Sequence, residues 1–362
     1  MPISAKTKLF LTYLPLVKSF EERLKSVNFT EIDKIIKGFG YVKDVDSTLP
    51  QPHIPLVGET YDYAKLKIAI YGMETRQWGN LIDVMNTNIN ELITSKDCDD
   101  WINGMQYWND SRTNTFHAFI KKLLITLYDQ TPQINHEYIA KSIIYGQYDS
   151  YVRWKKIPFV EKNIIKGSNR EILKSCYKEL KKASGIFDGD SFKKINSLDP
   201  DIIILLSWRS NISFDGYVIK KQTEYYKLFE CADQSHKYIL MVPHPNRMKY
   251  LGKSHDNYVN IIKSELSHLY DSSFFVIDEP KQVDKCQFIG ELANYVATLD
   301  LQLKLSLADI QSCLKYNGYK AANGTEYGNN GVGIPTLLKS SCSYYHNMND
   351  FETENNIKKL IP

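Results

Sequence analysis

Two runs, "DIIILL" from Asp201 to Leu206 and "YILMV" from Tyr238 to Val242, constrain this chain more than any other feature. Neither alternates apolar with polar residues. As strands, both would offer apolar side chains to both faces and need cover on both sides. A third run, "KLKIAIYG", ends at Gly72, and a weaker one, "KIPFVEKNIIKG", ends near Lys166. Segments with helical spacing lie between them, including "TFHAFIKKLLITLYDQ" and "NREILKSCYKELKKASG". Strand-like runs that alternate with such helices predict an α/β fold: a three-layer α/β/α sandwich around a short, mostly parallel central sheet. A hairpin is expected within 212–236, and closing helices within 253–302.

Around this core, residues 1–60 read as a helical N-terminal lead-in and 61–300 as the α/β domain. Residues 301–348 read as a small helix-turn-helix-like module, in which Ser306 caps a helix through Lys315. A tail covers 349–362. The module either binds duplex DNA or packs as a plain terminal element. The 45 basic and 42 acidic residues leave a net charge of +3, which neither demands nor repels a nucleic acid. Six scattered cysteines form no C-x-x-C pair, which argues against a zinc ribbon or an iron–sulfur site and suits reduced thiols. With no run long enough to span a membrane and no signal peptide, the expected setting is the cytoplasm, near the nucleoid of a prokaryote.

Parallel α/β sheets carry their chemistry at the carboxyl ends of the strands. Three runs end in polar residues able to do chemistry: Glu74 after the first, Asn163 within the weaker one, and His244 between Pro243 and Pro245 after the last. Each is unremarkable alone, but all three fall at one edge of the expected sheet. In this order they resemble the uracil-DNA glycosylase superfamily over about residues 60–300. "GMETR" resembles that family's water-activating loop, "KNIIKG" the strand end with its base-reading asparagine, "DPDIIILLS" its third core strand, and "HPNRM" its His-Pro loop.

The resemblance implies an enzyme that flips a base out of DNA and cleaves its N-glycosidic bond without a metal or cofactor. Glu74 would orient or deprotonate water and stabilise the positive sugar. His244, held by prolines of fixed φ, would donate to the departing base. Asn163, Arg76, Met73 and Trp78 are the base-recognition candidates. Asn246, Arg247, Met248 and Lys249 are the DNA-binding ones, with Met248 as the wedge that fills the vacated stack. Arg76 and Thr75 depart from the family, which has a blocking aromatic ring and a proline there. An arginine leaves room and donors for a pyrimidine with a polar C5 group, such as a hydroxymethylcytosine derivative in phage DNA, which implies antiviral defence. The alternatives are a uracil or mismatch repair glycosylase, a catalytically inactive DNA-binding protein of the same fold, and a hydrolase of free nucleosides. The expected partner is single- or double-stranded DNA carrying the target base.

Overall fold

The computed structural model describes residues 3–38, 55–74, 115–129, 136–149, 165–184, 198–207, 213–233, 236–279, 282–299, 304–321, 323–325, 327 and 333–360. It is a mixed α/β protein whose described strands form one seven-stranded sheet. In chain order these are β1 (Leu56–Val57), β2 (Ile68–Glu74), β3 (Ile143–Asp149), β4 (Ile202–Leu206), β5 (Tyr217–Gln222), β6 (Lys227–Cys231) and β7 (Tyr238–Val242). They lie side by side as β1-β3-β2-β4-β7-β6-β5. The four central strands, β3, β2, β4 and β7, are mutually parallel. β1 flanks one side and the β5–β6 hairpin the other, all antiparallel to their neighbours.

The apolar runs explain this centre. Every residue of β4 and β7 is buried, as a strand apolar on both faces requires. Ile68 and Ile70 of β2, Ile202, Ile204 and Leu206 of β4, and Leu240 and Val242 of β7 share one core cluster. Two helices complete that cluster: α3 (Thr115–Leu127), with Phe116, Phe119, Ile120, Leu123, Leu124 and Leu127, and α6 (His255–Leu269), with Tyr258, Val259, Ile262 and Leu266. Both sets follow the 3.6-residue period of an amphipathic helix. Ser254 starts α6 through a capping box, its Oγ accepting from Asn257 N–H while the Asn257 side chain accepts from Ser254 N–H. The odd-numbered residues Ala69, Tyr71, Ile203, Leu205, Ile239 and Met241 are buried as well, so the second face is also covered.

One strand differs from expectation. Residues 150–164, which hold most of the weaker strand candidate, lie outside the described set, and the described neighbour of β2 on this side is a strand the sequence reading did not name. It is β3, "IIYGQYD". Only its first residues are aliphatic, so its hydrophobic signal is short. Its glycine has a packing reason: a Cβ on Gly146 would lie 2.3 Å from the ring of Tyr71, its register partner on β2.

Two compact units divide the chain, Leu16–Asp278 and a second made of Met1–Pro15 with Glu279–Pro362. The first contains the sheet, α2 (Phe29–Gly38), α4 (His136–Ala140) and α5 (Gly167–Ser184), whereas α1 (Ala5–Leu24) contains Pro15 and contributes to both. The second is helical: α7 (Lys285–Thr298), α8 (Leu307–Tyr316), α9 (Gly333–Asn347) and α10 (Phe351–Leu360). α7 therefore groups with the C-terminal helices, although the sequence reading drew its boundary at 300. The residues read as a tail hold α10, which buries Thr353, Ile357 and Leu360. Ser306 caps α8 as expected, accepting from Asp309 N–H. Among the described residues, no helix is long and apolar enough to cross a membrane.

Gly146→Ala should destabilise the α/β unit by about 1–3 kcal/mol, because the buried Tyr71 ring must shift to admit the methyl group. Urea denaturation of the two proteins measures this, and equal midpoints would contradict the close packing of β2 on β3.

Candidate active site

From β2 the chain crosses to β3 on one side, and then returns to place β4 and β7 on the other. The order reverses between β2 and β4, and the crevice outside the carboxyl ends at such a switch point is where open α/β sheets bind ligands. Residue types at this edge follow from register. Tyr71 pairs with Leu205, and Leu205 with Met241. Three residues further along their own strands stand Glu74, the last residue of β2, and His244, just past β7. At about 4.8 Å per strand, the paired backbones of Tyr71 and Met241 lie roughly 10 Å apart across β4, and Glu74 and His244 follow them at equal offsets. Glu74 and Met73 are described as strand backbone. Arg76, Trp78 and Asn163 lie outside the described residues.

The His244 loop is defined in detail. Pro243 and Pro245 are buried, and His244 between them is half-buried. Its ring stacks on Phe116 at the start of α3, with centroids 5.4 Å apart and planes 17° from parallel. Phe116 in turn meets the edge of Tyr145 on β3 at 6.0 Å and the ring of His117 at 5.7 Å. Two hydrogen bonds close the turn beyond: Arg247 N–H donates to the His244 carbonyl at 2.7 Å, and Asn246 N–H donates to His244 Nδ1 at 3.3 Å. In a neutral imidazole only one ring nitrogen carries hydrogen, so an Nδ1 that accepts leaves the proton on Nε2. His255, at the start of α6, sits with Nε2 3.0 Å from the Pro245 carbonyl and its ring against Phe119 of α3. The imidazole is thus held on a braced loop.

The DNA-binding candidates divide. Asn246 and Arg247 are exposed. Met248, expected as the wedge, is fully buried in the core cluster with Tyr258 and Val259, where it anchors the helical turn Pro245–Met248. Of the Lys249 side chain nothing is described. The residues that the loop presents are Tyr250, 77% exposed, and Leu251, 47% exposed, just before Gly252, whose φ of +73° suits a residue without a side chain.

The β5–β6 hairpin turns at this same edge, because Lys227 pairs with both Gln222 and Met241. Tyr225 in that turn lies under Lys253 Nζ at 4.5 Å. Behind it, Lys221 Nζ and Tyr226 Oη donate to Glu265 Oε1 of α6 at 2.6 and 2.5 Å. Burial pushes the Glu265 carboxyl up, but these two donors outweigh it and hold it below the usual carboxylate range.

Sequence reading missed Phe116, Tyr145, His117 and His255. Phe116 fits the apolar spacing of its helix, and nothing local reveals that its ring lies beneath a histidine more than a hundred residues away. Comparison with family models, curated proteins and solved structures found no match to this chain.

Met248→Ala should cost about 2–5 kcal/mol of stability, while Tyr250→Ala should stay within about 0.5 kcal/mol. Chemical denaturation checks both, and the reverse order would place Met248 at the surface. The Glu265 contact makes a signed prediction. A depressed carboxyl stabilises above its unfolded value, near 4.5, and that contribution fades as pH falls through the folded value. The stability gap between wild type and Lys221→Met should therefore be widest above that pH and narrow in acid. A gap independent of pH would contradict the ion pair.

Proposed function

We propose that this chain is a monofunctional DNA glycosylase of the uracil-DNA glycosylase superfamily, working on a base flipped into the crevice between β2 and β4. The observation that carries the reading is the matched level of Glu74 and His244 on either side of that crevice. The finer architecture proposed with it is the three-layer sandwich with a small helical C-terminal module.

In the reaction, the C1′–N bond breaks and its electron pair leaves with the base, while a water oxygen bonds to C1′. Glu74 takes the water proton and offsets positive charge on the sugar. His244 donates a hydrogen bond from Nε2–H to the carbonyl oxygen of the departing base, where negative charge grows, and keeps its proton; the base leaves as an anion and takes a proton from solvent. The stack on Phe116 and the hydrogen bond from Asn246 N–H hold the imidazole in place before substrate arrives. The products are the free base and an abasic sugar.

Exposed Asn246, Arg247, Tyr250 and Leu251, with half-buried Lys253, supply the polar, basic and apolar groups that meet DNA beside the flipped nucleotide, Tyr250 and Leu251 taking the projecting role that buried Met248 does not fill. Asn163, Arg76, Met73 and Trp78 are proposed around the base, and a modified pyrimidine such as a hydroxymethylcytosine derivative of phage DNA is the preferred substrate. The setting is the prokaryotic cytoplasm, in antiviral defence.

Duplexes and single strands bearing uracil, mismatched thymine or modified cytosines, incubated with the protein and then with alkali, test this. Base release and alkali-labile strands are expected from at least one substrate. Glu74→Gln and His244→Phe should each slow it by about 10²-fold or more. If no substrate yields abasic sites while modified DNA still binds, the protein is an inactive binder of the same fold.

A further inference from the structure

The two outer strands of the sheet, β1 and β5, offer different things. β1 is two residues long and buried. β5 is six residues long, and all its side chains after Tyr217 are exposed. Val218 and Ile219 are 57% and 54% exposed, the only large apolar side chains left in solvent on the strands among the described residues. The hairpin fixes which way their backbone groups point. Ala232 N–H donates to the Gly216 carbonyl at 2.8 Å, which makes Tyr217 and Cys231 a non-hydrogen-bonded pair and Val218 and Glu230 the bonded one. Val218 therefore turns its N–H and C=O toward β6, and Ile219 turns both of its own away from the sheet. Among the described residues, no strand lies on that side.

Outward backbone groups are a template for another strand, and proteins commonly guard them with lysines. β5 carries two lysines, but acids of the same chain answer both. Lys220 Nζ bonds Glu230 at 2.7 Å and lies over the Tyr238 ring, and Lys221 Nζ bonds Glu265 at 2.6 Å. The edge thus neither repels its own copy nor draws an acidic partner. A bulge between Ile219 and Lys221 bends the strand beyond them, so the open ladder is short. Its groups at Ile219, one donor and one acceptor beside an apolar side chain, are complementary to themselves under a two-fold rotation.

We propose that β5 pairs antiparallel with β5 of a second copy of this chain, about a two-fold axis through Ile219, so that two seven-stranded sheets become one. At the axis Ile219 meets its symmetry mate, and the two exchange both N–H···O bonds. On one face the two isoleucine side chains pack together, and on the other Val218 lies along the aliphatic stem of the partner's Lys220. Such a contact takes the same edge from each copy, and buried β1 offers no other, so assembly stops at two. The proposal is independent of the glycosylase reading.

Sedimentation equilibrium of the full chain across a concentration series tests this, with hydrogen exchange at the Ile219 amide followed in the same samples. A reversible monomer–dimer equilibrium is expected, and the Ile219 amide should exchange more slowly as the dimer fills. Ile219→Pro removes the outward N–H without touching a bond to β6, and should weaken the dimer about tenfold or more. Ile219→Lys changes only an exposed side chain and sets two cations face to face at the axis, so it should also weaken the dimer. A wild-type chain still monomeric at about 0.1 mM overturns the proposal with no variant needed. So does a dimer whose strength Ile219→Lys leaves unchanged. A dimer that forms without slowing exchange at Ile219 joins through some other surface, and that result overturns it too.

Discussion

Four neighbouring parallel strands, two of them apolar along their whole length, leave mainly their ends in contact with water. That constraint organises the rest of the α/β unit. Ile202 to Leu206 and Tyr238 to Val242 lie entirely inside, so polar chemistry is pushed to the residues just beyond them. Because the strands share one direction, those residues gather at one edge. The order reverses between β2 and β4, the place where open α/β sheets bind ligands. Chemistry far apart in sequence is brought together by hydrophobic burial alone.

At the edge, an apolar frame supports a polar group. His244 is fixed by buried prolines on both sides, by the Phe116 ring beneath it and by a backbone donor on Nδ1. Phe116 belongs to the same helix whose other apolar residues pack the sheet, so loss of core packing would be felt at the imidazole. Met248 makes the same point from the other side. The loop keeps its shape because this side chain is sunk in the core, and it is the following turn, Tyr250 and Leu251, that reaches outward.

The sequence made the centre of the sheet legible and its flank obscure. β2, β4 and β7 announce themselves as nearly continuous apolar runs, and α3 and α6 by helical spacing. β3 does not, since its apolar signal fades after Ile144 and its remaining residues, Tyr-Gly-Gln-Tyr-Asp, look like a loop. Its pairing with β1 and β2 makes it a strand, Gly146 accommodating Tyr71 in a contact no local rule foresees. The candidate site shows the same division. His244 and Glu74 are found by counting to strand ends, whereas the stack with Phe116 and the burial of Met248 are tertiary facts. The last residues read as a frayed tail, yet α10 forms there by burying the stripe Thr353, Glu354, Ile357 and Leu360.

The central claim is that Glu74 and His244 act on the same transition state across one crevice. A double-mutant cycle on single-turnover base release tests it most directly, using Glu74→Gln, His244→Phe, which preserves the stack on Phe116, and the two combined. Residues that act as a unit lose strongly non-additively, so the double variant should be within about tenfold of the slower single one. Losses that multiply would mean the two side chains work independently, and would contradict a shared site.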